Sequence, residues 1–508
     1  MDGPAQHPAA ARNPLVVMAI SLALVGVFGI WGLLAPDAMI SAATNAVSVV
    51  LSSLGWLYLV LTTAFLVLGA WMALGPYGSI KLGPDDSEPE FSTSSWLAML
   101  FAGGMGAGLV FWGVAEPVSH FAFPPGGVQP ATAESARLAM VLSNLHWGFH
   151  AWSIYAVCAL VIAYFMFRRG MPGMVSTPIR ATMGATRTTR LLGFTADIIG
   201  VFAVVFGLAG SLVLGILQVR GGLSQVFNIP ATEAVSLVIL AVVVVAFMIS
   251  AMSGLGKGIK ILSNLNMSLA IGLMLFVLVV GPTAYLMESF VNAIGDYFSA
   301  LPAYAFRLLS YEKQMDWTSA WTLTYLIWWV AWGPFVGVFI ARISRGRTIR
   351  QFCLGVILIP TLFSILWFAV LGGSGIWVEL EGGGGLAGIV SEDVSTALFA
   401  FLDFLPAGGL LNALAIALVF IFLVTSADSG TFVVSMMSSE GTLEPGRKLK
   451  LVWGTAITVL TISILVAGSV EVAKAMAIFG ALPFTLVIVV QIVAFLRALR
   501  QERRGGQT

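Results

Sequence analysis

Ala102-Gly103-Gly104-Met105-Gly106-Ala107-Gly108 is the stretch that decides the fold. It lies inside a long apolar segment, residues 96–114, of the length that crosses a membrane as a helix. Four glycines within six positions weaken that helix, since each costs about 1 kcal/mol relative to Ala. In hydrocarbon an unwound backbone survives only where it is buried in protein or lines a cavity. Secondary transporters build substrate and ion sites at such broken helices, near the bilayer midplane. The alternative is a small-residue face for tight helix packing. The rest of the chain favours the broken helix.

The chain has 508 residues, 58% of them hydrophobic and only 10% charged. Soluble domains carry about 25% charged residues, so this composition describes a polytopic membrane protein. A net charge of +1 gives no footprint for nucleic acid. Cys158 and Cys353 both fall in apolar runs and imply no disulfide framework. No nucleophile–base pair and no Cys/His metal pattern stands out, so nothing points to an enzyme or to an organic cofactor.

Apolar runs of about 18 residues mark membrane spans. Twelve are predicted, near 15–35, 56–75, 96–114, 144–167, 191–218, 234–252, 260–286, 318–341, 351–372, 408–437, 450–468 and 475–496. Residues 287–309 alternate polar and apolar side chains and are expected to lie as an amphipathic helix at the interface. The Lys and Arg bias of the loops sets orientation. With the N-terminus cytoplasmic, twenty of the 25 basic residues fall inside. Only Arg137, Arg220, Arg307, Lys313 and Lys474 fall outside. The expected protein is therefore multi-pass in the cell inner (plasma) membrane, surrounded by lipid, with both termini cytoplasmic.

Fifteen tryptophans need an account. Interfacial belts explain Trp31, Trp56, Trp71 and Trp453. Two clusters are different. In His146 to Tyr155, read as one helix, Trp147, Trp152 and Tyr155 share an arc of roughly 140°. In the second, Trp321, Tyr325, Trp328 and Trp332 form a stripe, with Trp329 to one side. Aromatic faces attract quaternary ammonium groups, and a desolvated contact is worth about 2 kcal/mol or more. Two such helices facing each other would form an aromatic cage; packing between helices is the competing account.

These residues resemble the betaine/carnitine/choline transporter (BCCT) family. The resemblance rests on Gly104 to Leu109 with Phe111-Trp112-Gly113-Val114-Ala115-Glu116-Pro117, on His146-Trp147 through Tyr155, on Trp328 to Phe335 with Ala341 to Arg347, and on Thr425-Ser426-Ala427-Asp428-Ser429. It implies an all-α integral membrane protein with twelve transmembrane helices and a LeuT-like fold. Two inverted five-helix repeats, residues 96–286 and 318–496, would follow a cytoplasmic tail (1–14) and two peripheral helices (15–95). An interfacial segment (287–317) would join the repeats, and a short cytoplasmic tail (497–508) would end the chain. A homotrimer is implied as well.

The resemblance also implies the site. The aromatic box would comprise Trp147, Trp152, Tyr155 and Trp329, with Trp328 and Trp332 along the neighbouring pathway. The unwound backbone at Met105, Gly106 and Gly108 would lie beside the substrate. Relatives that take cationic choline often carry an acidic residue where this chain has Gly108, so a zwitterion such as glycine betaine is expected. Glu116 reads as a structural residue of a Glu-Pro turn. Dimethylsulfoniopropionate, ectoine and choline are alternative substrates.

Sodium is the implied coupling ion. Its site would use Ala102, Met105, Phe422, Thr425 and Ser426. A second family site uses two threonines four residues apart, and Val204 and Leu208 stand at those positions. Sodium-independent exchange, as in carnitine/butyrobetaine antiport, is the alternative mechanism. Exchangers place a basic side chain near the counterpart of Asn266-Met267, and none is present here.

Overall fold

The computed structural model describes residues 14–104, 106–253, 258–442, 444–466 and 469–505. Twenty α-helices run through it in chain order. The first four are α1 (Pro14–Leu34), α2 (Pro36–Leu74), α3 (Thr93–Gly104) and α4 (Gly106–Ala122). Next come α5 (Ala133–Trp147), α6 (Phe149–Ala163), α7 (Thr177–Thr182) and α8 (Arg187–Phe227). Then follow α9 (Glu233–Ser253), α10 (Gly258–Val280), α11 (Thr283–Tyr304), α12 (Met315–Thr318) and α13 (Thr324–Arg342). The remainder are α14 (Ile349–Trp367), α15 (Gly373–Leu380), α16 (Leu386–Glu392), α17 (Ala397–Asp403), α18 (Gly408–Met437), α19 (Arg447–Leu465) and α20 (Val470–Gly505). Among the described residues the only β pairing is an isolated bridge between Lys81 and Thr348.

Eleven helical stretches among the described residues are long and apolar enough to cross a membrane. They coincide with eleven of the twelve expected spans. The exception is the span at 96–114. There α3 ends at Gly104 and α4 begins at Gly106. Met105, between them, lies outside the described residues.

Several helices outrun their apolar windows. The second starts at Pro36 rather than near residue 56, and α8 spans 41 residues. Hydropathy locates the hydrocarbon-buried portion, whereas helix ends follow caps and helix breakers. Thr132 and Ser135 form a reciprocal capping box that starts α5, and Thr348 with Gln351 does the same for α14. Asn228 closes α8 in the left-handed region at φ 53°. Trp453 is fully buried and donates to Ser438 Oγ at 2.8 Å, so it serves the core rather than a belt.

The loops assigned to the inside by charge meet at one end of the molecule. Leu82 N donates to Arg347 O at 2.8 Å, and Gly346 N donates back to Leu82 O at 2.8 Å. Arg168 donates to Gly83 O at 3.0 Å and pairs with Glu502 at 2.7 Å and Asp85 at 2.5 Å. Hydrogen bonding from this guanidinium holds the Asp85 carboxyl below its usual range. Three contacts join segments away from these loops: Arg137–Asp296 at 2.9 Å, Gly126 N to Gln314 Oε1 at 2.6 Å and Gln225 Nε2 to Asp403 Oδ2 at 2.9 Å.

Candidate functional site

Gly106 and Gly108, expected in unwound backbone, lie instead in the first turn of α4 and come close to two aromatic rings. A Cβ at Gly106 would overlap the ring of Phe422, and one at Gly108 would lie 2.6 Å from Trp147 Cη2. Both glycines are thus required by close approach. An acidic residue at 108 would have to displace Trp147 before it could offer a charge.

A cavity of about 750 Å³, its open mouth included, opens against this backbone. Trp112, Trp147, Trp328, Trp329 and Trp332 line it, with Phe111, Phe422, Ser211, Gln218 and Ser426. None of its described lining residues is charged. Trp147 meets Trp329 edge to face, with centroids 4.9 Å apart and planes at 72°. Trp328 and Trp329 are near-parallel at 10°, with centroids 6.2 Å apart. Trp332 Nε1 donates to Ser211 Oγ at 3.2 Å.

Trp152 and Tyr155 do not line this cavity. They are fully buried behind Trp329, and Tyr155 packs on it edge-on at 6.0 Å. The reason is a helix break. Gly148 (φ −100°, ψ −130°) separates α5 from α6, so the arc expected for one continuous helix does not exist. Tyr297 OH caps the break by accepting from Phe149 N at 3.0 Å. Trp147 ends α5 facing the cavity, while Trp152 and Tyr155 belong to α6.

Glu116 is the residue that sequence reasoning misjudged. Pro117 follows it, yet both sit inside α4, and Glu116 is fully buried. Its Oε2 accepts from Trp147 Nε1 at 2.7 Å. Its Oε1 lies 2.6 Å from His146 Nδ1 and 3.4 Å from His120 Nε2. His146 Nε2 meets Thr322 Oγ1 at 3.0 Å, and the His146 carbonyl accepts from Trp329 Nε1 at 2.8 Å. The Glu116 carboxylate and the His146 backbone carbonyl therefore hold the N–H groups of the two cage tryptophans, with the His146 ring bonded to Glu116. The signal was available: a buried charge needs partners, and Glu116 is the one charged residue between Trp96 and Phe121. The potential ligand atoms of Glu116, His120 and His146 lie within 4.8 Å of one another, but hydrogen bonds within the unit and to Trp147 already engage Glu116 and His146.

The expected sodium ligands are brought together in part. Phe422, Thr425 and Ser426 lie on one face of α18, beside the start of α4. The Thr425 hydroxyl donates within its helix, to Ile421 O at 3.0 Å and Phe422 O at 3.1 Å, leaving lone pairs free to ligate. Ala102 belongs to α3, and Met105 falls outside the described residues. Val204 and Leu208 are buried on α8 and offer no side-chain oxygen. With its amide oriented to satisfy both atoms, Asn266 donates to Leu418 O and accepts from Phe422 N, each at 3.1 Å.

A family model described as BCCT, betaine/carnitine/choline family transporter, matches residues 16–504. The chain belongs to this family. BCCT proteins are transporters, not enzymes, and this one is a multi-pass membrane protein. It is 42% identical to the glycine betaine transporter OpuD of Bacillus subtilis, across 96% of this chain and 94% of that protein. It is 41% identical to an ectoine/hydroxyectoine transporter of Virgibacillus pantothenticus, across 89% and 90% of the two. A glycine betaine transporter of Acinetobacter baylyi is 37% identical across 97% of this chain and 73% of that protein. A solved manganese transporter of Eremococcus coleocola aligns with 84% of this BCCT chain and 83% of that one, at 16% identity and a TM-score of 0.44; nothing further rests on that likeness.

Proposed function

We propose that this BCCT protein imports a zwitterionic onium compound of the glycine betaine class by sodium symport. The observation that carries the reading is the uncharged, tryptophan-walled cavity set against the glycine-lined start of α4. A quaternary ammonium has no hydrogen to donate, so it is recognised by π faces. The carboxylate of a zwitterion finds polar partners in Ser211, Gln218 and Ser426. The names of the glycine betaine and ectoine relatives support the same substrate class. On this reading α3 and α4 together form a twelfth, broken crossing within the first of two inverted repeats. The assembly is a homotrimer in the inner membrane, and the loop charges put both termini in the cytoplasm.

Binding is tested by titrating the purified protein with glycine betaine, ectoine and choline while following tryptophan fluorescence. Saturable quenching by glycine betaine supports the reading; no response to any onium compound overturns it. Trp329→Leu keeps bulk but removes the π face. It should weaken glycine betaine binding roughly tenfold, which is about 1–2 kcal/mol. Unchanged affinity in folded protein would remove Trp329 from the cage.

Sodium, as a co-transported ion, is assigned to Thr425 and Ser426 with backbone carbonyls of the glycine-rich stretch at Ala102 and Met105. Thr425→Ala or Ser426→Ala should raise the Na⁺ concentration for half-maximal uptake severalfold, because a hard, partly dehydrated ion loses an oxygen ligand. Val204 and Leu208 cannot ligate through side chains, so a Hill coefficient for Na⁺ nearer one than two is expected. Charge-to-substrate flux ratios check this: one net charge per zwitterion fits a single sodium, and two would show a second site.

A further inference from the structure

The charge count places Lys474 in an outside loop. In the structure it is part of α20, and its ammonium lies over aromatic rings. Its Nζ is 4.3 Å from the centroid of Trp112, 4.9 Å from Trp321 and 6.0 Å from Tyr325. Among the described residues it makes no hydrogen bond and no ion pair. The protein thus carries a tethered ammonium in an aromatic cluster of its own.

That cluster is continuous with the substrate cavity. Trp112 lines the cavity. Tyr325 stacks on His146 at 4.9 Å and packs edge-on against Trp147 at 5.5 Å. Beyond the same rings lies the buried Glu116 carboxylate on the Trp147 N–H. Glu116 and Glu471 are the carboxylates whose charge acts on Lys474. The remaining titratable neighbours are His120, whose ring is 4.5 Å from Trp321, and His146.

A buried carboxylate this close to an uncharged cavity attracts any cation and repels the carboxylate of a zwitterion. Left alone, Glu116 would favour choline over glycine betaine. We propose that Lys474 sets the charge class of the substrate by offsetting Glu116, so that the cavity prefers net-neutral zwitterions to bare cations. The proposal rests on the reading of the cavity as an onium site. At an effective dielectric near 20, adding or removing a unit charge beside the cavity wall changes affinity by on the order of tenfold.

The test uses full-length protein in proteoliposomes and labelled glycine betaine, with unlabelled choline and glycine betaine as competitors. The two share a trimethylammonium group and differ in the carboxylate. The readout is the ratio of their inhibition constants, choline over glycine betaine. Lys474→Met keeps an apolar stem on the rings without the charge, and Lys474→Gln is the second neutral variant should the first not fold. Either should lower the ratio about tenfold, Lys474→Arg should hold it at the wild-type value, and Glu116→Gln combined with Lys474→Met should return it toward wild type. A ratio within twofold of wild type in a folded neutral variant overturns the proposal. If glycine betaine itself fails to compete in the wild type, the onium reading of the cavity falls instead.

Discussion

Replacing Glu116 by Ala is expected to lower the unfolding midpoint sharply and to abolish onium binding. The substitution leaves Trp147 Nε1 without its acceptor and His146 Nδ1 without its partner, both buried. Each buried polar group left unpaired costs about 1–3 kcal/mol. The geometric loss is wider than the bond count, because the His146 carbonyl also holds Trp329. Thermal unfolding of detergent-purified protein, together with fluorescence titration, measures both effects. Glu116→Gln retains one acceptor oxygen and should fall between the two. A Glu116→Ala variant with wild-type stability and affinity would show that the unit does not position the cage.

The second large effect is expected at Gly106. Alanine there places a Cβ within the ring of Phe422. That ring is 4% exposed and packed in the core against α4, so it cannot yield without disturbing the cavity wall. Overpacking of this kind costs about 1–3 kcal/mol, and here the strain falls at the start of α4, where Gly106 lines the cavity. Gly106→Ala should reduce uptake more than tenfold at normal expression. Adding Phe422→Ala should restore part of the loss by removing the overlap. Full activity in the single variant would mean that the ring and the glycine backbone need not approach during transport.

Much of this architecture was legible in residue order. Eleven spans announce themselves because a bilayer demands ~20 apolar residues per crossing. The close approach of backbone at Gly106 and Gly108 is legible because glycine is useful where backbone must approach a ring. Trp147, Trp328, Trp329 and Trp332 reach the cavity as their clustering suggested. Trp152 and Tyr155 do not, since a single break at Gly148 resets the helical phase, and one glycine does not reveal its ψ. Helix ends were misplaced because hydropathy reports burial in lipid while capping residues decide where a helix stops. From residue order alone Glu116 reads as a turn residue and Lys474 as a loop residue. Local sequence gave no view of the partners that draw them inward: Trp147 and His146 for the one, and rings from α4, α13 and the π-helical turn at Ser319–Leu323 for the other.

Uptake of labelled glycine betaine into proteoliposomes tests the central claim most directly. Purified protein is reconstituted with an empty lumen, and uptake is compared with Na⁺ or with K⁺ outside. The account predicts concentrative, saturable uptake with Na⁺ that collapses with K⁺ and is blocked by excess unlabelled glycine betaine. Equal uptake in the two cations, accelerated by substrate preloaded in the lumen, would contradict sodium symport and establish exchange in its place.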